Sequence, residues 1–174
     1  MGHALVVGGT GMLRGLSLHL AARWTAVSVL ARAGPRLSAL AAASPAVLPV
    51  AVDWHDAAAL GLALRAATAA SGPFDLVVAW IHSSAPAAPF AVAAAAARPE
   101  DPVPFHQIFG SGGDAAQPTK LAWRRRLEGM EGIDYRRVVL GRKGARWLHD
   151  DEISAGVIAA VESGAPYYEV GEIR

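Results

Sequence analysis

The sequence predicts an α/β fold: a doubly wound parallel sheet of about seven strands with helices on both faces. Three observations predict it. Short apolar runs alternate with stretches of helical periodicity along nearly the whole chain, the pattern of parallel strands joined by crossover helices. The first apolar run, Ala4 to Val7, opens directly into glycines at Gly8, Gly9 and Gly11, and then into a helical pattern. The run FDLVVAWI at 74–81 is apolar but for Asp75, as a strand covered on both faces requires.

The elements follow in order. Residues 3–8 form the first strand, ended by Gly8. Residues 12–23 place Leu13, Leu16, Leu20 and Ala21 at helical spacing. The second strand is 26–31, closed by Gly34–Pro35, and 36–43 is a short helix. Residues 47–52 form the third strand, finishing at Asp53. Asp56 caps a helix over 57–70, which Ser71–Gly72–Pro73 stops. After the strand at 74–81, residues 90–97 form an alanine helix ended by Arg98–Pro99. The fifth strand, 103–109, has its apolar pattern interrupted by His106 and Gln107. A basic helix over 118–130, a sixth strand over 135–140, a helix over 150–162 and a small strand over 167–170 complete the chain.

The bulk numbers bound the function. At 174 residues, the whole span 1–174 fits one domain with its own core. The net charge of +1 gives no reason to expect nucleic acid as a partner. Cysteine is absent, which excludes a disulfide scaffold, thiol catalysis and cysteine-ligated zinc. The histidines lack ligand spacing, so no metal site is expected. The first strand begins within a few residues of Met1, leaving no room for a signal segment. No apolar run approaches the ~20 residues that span a bilayer. A cytoplasmic protein without a membrane partner is the expectation.

Four motifs carry chemistry. A glycine turn between a strand and a helix lets the backbone approach a pyrophosphate, while the helix aims free N–H groups at it; here the turn is Gly8, Gly9, Thr10, Gly11, Met12 and Leu13. Arg32 stands just past the second strand, with Arg36 close behind. AVDWHD at 51–56 follows the third strand, and GPFDLVVAWIHSS spans 72–84. With these motifs the chain resembles the short-chain dehydrogenase/reductase superfamily along nearly its full length, as a shortened and atypical member with a Rossmann-like NAD(P)-binding domain. Neither glycine register of that superfamily is kept cleanly. Gly8, Gly11 and Gly15 displace the third glycine of one form, and Ser17 replaces the last glycine of the other.

The resemblance implies roles. Arg32 stands where NAD-preferring relatives carry an acidic residue, and a guanidinium suits the 2′-phosphate of NADP; NADP is favoured, NAD stays possible, and a solvated loop arginine is the alternative. Asp53 takes the place of the aspartate that accepts from the adenine amine, with Trp54 against the adenine edge. Ala79, Trp80, Ile81 and His82 replace the Asn-Asn-Ala-Gly run that lines the nicotinamide ribose. Ser111 resembles the catalytic serine after the fifth strand. The Tyr-x-x-x-Lys pair is missing: Lys120 is the lysine of the corresponding helix, and Ala116 stands four residues before it.

What remains near the nicotinamide end is His82, Ser83, Ser84, Ser111 and Lys120. An imidazole suits proton donation near neutrality, so His82, with Ser111, either handles a proton or simply satisfies strand-end backbone groups. His106 reads as a hydrogen-bonded core residue. Arg124, Arg125 and Arg126 read as a solvated face pairing with Glu128 and Glu131. Trp147 reads either as part of a lid or as a hydrophobic staple. Two functions stand side by side: an NADP(H)-dependent oxidoreductase acting on a small carbonyl or alcohol substrate, and a non-catalytic dinucleotide-binding sensor or partner-binding protein. Family habit implies a homodimer or tetramer, which the short segments around the fifth strand weaken.

Overall fold

In the computed structural model, residues 2–111 and 117–173 are described. The main sheet runs β3 (Val47–Ala51), β2 (Ala26–Ala31), β1 (His3–Val7), β4 (Phe74–Ala79), β5 (Val103–Gly110), β6 (Ile133–Leu140) and β9 (Tyr167–Val170). Every pairing within it is parallel. Strand order reverses between β1 and β4, so the chain winds outward in both directions from β1, as the sequence predicts. Two short strands were not foreseen: β7 (Arg142–Lys143) and β8 (Arg146–Trp147) form an antiparallel ribbon of their own.

The helices divide evenly. α1 (Arg14–Ala21), α2 (Pro35–Ala43) and α6 (Asp150–Ser163) bury Leu16, Leu20, Leu37, Leu40, Ile153 and Val157 against one face. α3 (Ala57–Ser71), α4 (Ala88–Ala96) and α5 (Pro118–Glu128) bury Leu60, Leu64, Val92, Trp123 and Leu127 against the other. Strand β1 lies at the centre, with Ala4 through Val7 fully buried. Its alternate side chains feed both cores: Ala4 and Val6 one, Leu5 and Val7 the other. Each such Leu or Val side chain is worth about 2 kcal/mol of hydrophobic burial.

Several boundaries differ from expectation for local reasons. β1 stops at Val7 because Gly8 turns with φ +79°, a conformation that L side chains resist. β4 stops at Ala79: Trp80 still donates its N–H to the Val7 carbonyl at 3.1 Å, and the chain then leaves the sheet. The residue stapling α6 is Leu148, buried in the same core cluster as Ile153, whereas Trp147 is 40% exposed. Glu152 accepts the His149 N–H at 3.0 Å, closing the first turn of α6. On α5, Arg124 pairs with Glu128 at 2.7 Å and Arg126 lies over the Phe90 ring.

Two buried histidines contrast. His3 is satisfied at both nitrogens, by the Gly72 carbonyl at 2.9 Å and the Ser28 hydroxyl at 2.8 Å. His106 is buried, but neither ring nitrogen has a hydrogen-bond partner among the described residues, so the expected hydrogen-bonded core histidine is in the core without the bonds. Burial, reinforced by the Arg136 charge and opposed by Asp134, lowers its pKa from 6.5 to about 4. The folded ring therefore refuses a proton that the unfolded ring accepts. Stability is fully present above pH 6.5 and is lost as pH falls through the window down to about 4, by up to about 3 kcal/mol. Denaturant titrations at pH 7 and pH 4.5 should show this loss in the wild type, and His106→Leu should remove its share.

Candidate functional site

The loops at the C-terminal ends of β1 to β4 enclose a cleft of about 700 Å³. It opens where strand order reverses, the position at which doubly wound sheets meet ligands. Four segments line it: the glycine turn, residues 31–37 after β2, Asp53 to His55 after β3, and Trp80 with His82 after β4.

The turn is built by close approach. A Cβ on Gly8 would lie 3.0 Å from the Trp80 carbonyl oxygen, and one on Gly9 would lie 2.6 Å from Ser17 Oγ and 2.8 Å from Val29. The buried Ser17 hydroxyl reaches the carbonyls of both Gly9 and Leu13 at 3.1 Å, tying α1 to the turn. Gly11 faces open space, with nothing within 4 Å of its would-be Cβ. Gly15 serves another purpose: a Cβ there would meet Ser154 of α6 at 2.8 Å. Ser154 in turn donates to the Met12 carbonyl at 2.7 Å and accepts from the Leu16 N–H. The irregular glycine spacing thus resolves into a turn made by Gly8, Gly9 and Gly11 and a helix contact made by Gly15.

Arg32 and Arg36 are exposed at the mouth. Asp53 Oδ1 accepts the His55 backbone N–H at 3.0 Å and faces His55 Nδ1 at 2.7 Å. These two bonds, helped by the His55 and Arg32 charges, hold the Asp53 carboxyl below its ordinary pKa. His55 Nε2 lies 3.1 Å from Ser84 Oγ. Asp56 caps α3, accepting the Ala59 N–H at 2.9 Å.

The far wall is aromatic. Trp80 is half-buried; His82 meets its ring edge-on at 5.7 Å and lies 6.2 Å from the Trp54 ring. Lys120 is 4% exposed, with Nζ 5.8 Å from the Trp80 ring centre and 5.4 Å from that of Phe109.

The expected site residues separate accordingly. Gly8, Thr10, Gly11, Met12, Arg32, Asp53, Trp54, Trp80 and His82 share the cleft. Gly9, Leu13 and Ala79 are buried and do not line it; the Leu13 and Ala79 side chains belong to the cores. Ser111, whose N–H donates to the Leu140 carbonyl at 2.7 Å, and Lys120 lie outside its lining. Ala116, which stands in place of the absent tyrosine, lies outside the described residues, as do Gly112 and Gly113. Sequence reasoning missed His55 and the residues flanking Arg36, namely Ala33, Gly34, Pro35 and Leu37, as cleft walls. The available signal was their place in the loops after β3 and β2.

Gly9→Ala should destabilise the protein by about 2–3 kcal/mol, because Ser17, Val29 and Val6 must all yield. Gly11→Ala should stay within about 0.5 kcal/mol. Thermal melts of the two variants check the contrast.

No protein-family model matches the chain, and no curated protein matches it. Solved structures do. A short-chain dehydrogenase/reductase family oxidoreductase, described as putative, from Aeromonas hydrophila superposes with TM-score 0.76 at 18% identity, over 98% of each chain. An alcohol dehydrogenase from the archaeon Thermococcus sibiricus, complexed with 5-hydroxy-NADP, gives 0.78 at 15% identity, over 99% of this chain and 96% of that one. A short-chain dehydrogenase from Sphingobium yanoikuyae in complex with NADPH gives 0.77 at 17% identity, over 97% and 87%. The chain has the Rossmann-like fold of the short-chain dehydrogenase/reductases.

Proposed function

We propose that the cleft binds NADP(H) and that the protein is an atypical short-chain oxidoreductase acting on a small carbonyl or alcohol. The observation that carries this reading is the convergence of the glycine turn, Arg32 and Asp53 on one cleft at the strand-order reversal. Two of the structurally similar proteins are complexes with NADPH and 5-hydroxy-NADP. The residues present suit such a group. The turn excludes a side chain at Gly8 and leaves room at Gly11, as close passage of a pyrophosphate requires. Arg32 and Arg36 supply cationic forks for a 2′-phosphate, and the Asp53 carboxylate supplies an acceptor for the adenine amine.

The bound cofactor would supply the hydride equivalent; the chain would supply orientation and a proton. His82 is the group for the proton, held between Trp54 and Trp80 on the cleft wall. Its ring can donate a proton in place of the absent tyrosine. Lys120 places a cation behind Trp80. Ser111 takes the serine's place in the resemblance and would polarise the substrate oxygen. A second reading, a dinucleotide-binding sensor, rests on Ala116 standing where the tyrosine would be.

Titration by nicotinamide fluorescence tests the binding. NADPH should bind more tightly than NADH, and Arg32→Ala should weaken NADPH about tenfold or more while leaving NADH within about twofold. Failure of the wild type to bind either at high micromolar concentration sinks both readings. NADPH oxidation across a panel of aldehydes and ketones then separates enzyme from sensor. In an enzyme, His82→Ala should keep NADPH binding and lose about a hundredfold or more in kcat. Unchanged turnover would remove His82 from the chemistry.

A further inference from the structure

A hydrogen-bonded array joins the loops after β3 and β4. Asp53 Oδ1 meets His55 Nδ1 at 2.7 Å, and His55 Nε2 meets Ser84 Oγ at 3.1 Å. Asp53 and His55 line the cleft, whereas Ser84 does not and reaches it only through the imidazole. We propose that His55, anchored by Ser84, is a positioning residue that aims the Asp53 carboxylate and thereby makes the cleft selective for a 6-amino purine over a 6-oxo purine. This rests on the reading of the cleft as a dinucleotide site with Asp53 as the adenine acceptor, and what it adds concerns His55 and Ser84, to which the resemblance assigns no part in holding the base.

The hydrogen-bond inventory dictates the direction of the Asp53 bond. An ionised carboxylate only accepts, so His55 Nδ1 carries the proton in the Asp53 bond. The Ser84 hydroxyl can donate to or accept from Nε2, so it closes the array in either case. Both bonds that Asp53 receives fall on Oδ1, one from the His55 backbone and one from its ring. Oδ2 has no hydrogen-bond partner among the described residues. A carboxylate on an exposed loop ordinarily spends its rotamer freedom when it binds; here that freedom is already restricted by a ring held at both ends.

The electrostatics point the same way. The bonds to His55 favour the anionic form of Asp53, and the nearby Arg32 adds to this. An anionic oxygen accepts from the exocyclic amine of adenine and repels the carbonyl oxygen at position 6 of hypoxanthine or guanine. The same connectivity activates serine nucleophiles in hydrolases. That chemistry depends on a water-excluded, preorganised site, and the Asp53 and His55 side chains are 52% and 51% exposed. Orientation is the role that such an exposed array can perform.

The test measures affinity of the protein for NADPH and for its hypoxanthine analogue, reduced nicotinamide hypoxanthine dinucleotide phosphate. The wild type should prefer the adenine form about tenfold, the scale of one charge-assisted hydrogen bond. His55→Ala should bring the ratio to within about twofold by weakening the adenine form alone. His55→Asn, which restores a donor near the Nδ1 position, should recover most of the preference, and Ser84→Ala should lower the ratio partway. Loss of affinity for both ligands in equal proportion would show a merely structural residue and overturn the proposal. An unmoved ratio in His55→Ala, or no preference in the wild type, also overturns it while leaving the cofactor reading intact. Binding of neither ligand to the wild type overturns both.

Discussion

The cleft depends on how closely α1 approaches the first two strands. Gly9 has no room for a methyl group, because Ser17 of α1 and Val29 of β2 already occupy the space. The Ser17 hydroxyl bonds the Gly9 carbonyl across the same contact, so helix and turn form one rigid unit. This approach fixes the turn that lines the cleft, where the space beside Gly11 is open. A looser helix would leave the turn without a fixed path. Gly15 and Ser154 extend the constraint outward. They bring α6 against α1 and bond the Met12 carbonyl, which ties the turn to an element that follows it by well over a hundred residues.

The cleft is asymmetric in its chemistry. On the loops after β2 and β3 stand exposed polar groups, Arg32, Asp53 and His55, the last two hydrogen-bonded to each other. Beside them Trp80, His82 and Trp54 form an aromatic wall, with the Trp54 ring 6.5 Å from that of His55. The first arrangement offers hydrogen-bonding groups of both charges. The second offers polarizable faces and an imidazole, a different solution from the small amide-bearing run that the resemblance leads one to expect there.

The architecture was legible because β1, β4 and their neighbours are buried on both faces, which writes apolar runs directly into the sequence. Cleft residues set by backbone position were legible too, among them Gly8, Arg32 and Asp53. What escaped was whatever depends on tertiary neighbours. Gly15 reads as a displaced phosphate glycine until α6 is seen against it. Ser17 reads as a lost glycine until its hydroxyl is seen on the turn. His106 and Gln107 look like interruptions of β5, yet both are buried; Gln107 is satisfied by the Tyr135 hydroxyl at 2.8 Å, and His106 tolerates burial by remaining neutral. The ribbon of β7 and β8 left no signal, since two-residue strands carry no periodicity.

Trp80 carries the last step. Its backbone belongs to the fold: the N–H continues the bonding of β4 to β1, and the carbonyl stands over Gly8. Its ring belongs to the site, one wall of the cleft and one of the two aromatic faces near the buried Lys120 ammonium. A buried cation demands compensation, and aromatic faces at this range supply part of it. The lysine could not be exchanged for an apolar residue without changing the charge behind the ring, nor the tryptophan for a small residue without opening the cleft toward the lysine. The asparagine that the resemblance leads one to expect at this position would offer the lysine no such aromatic face.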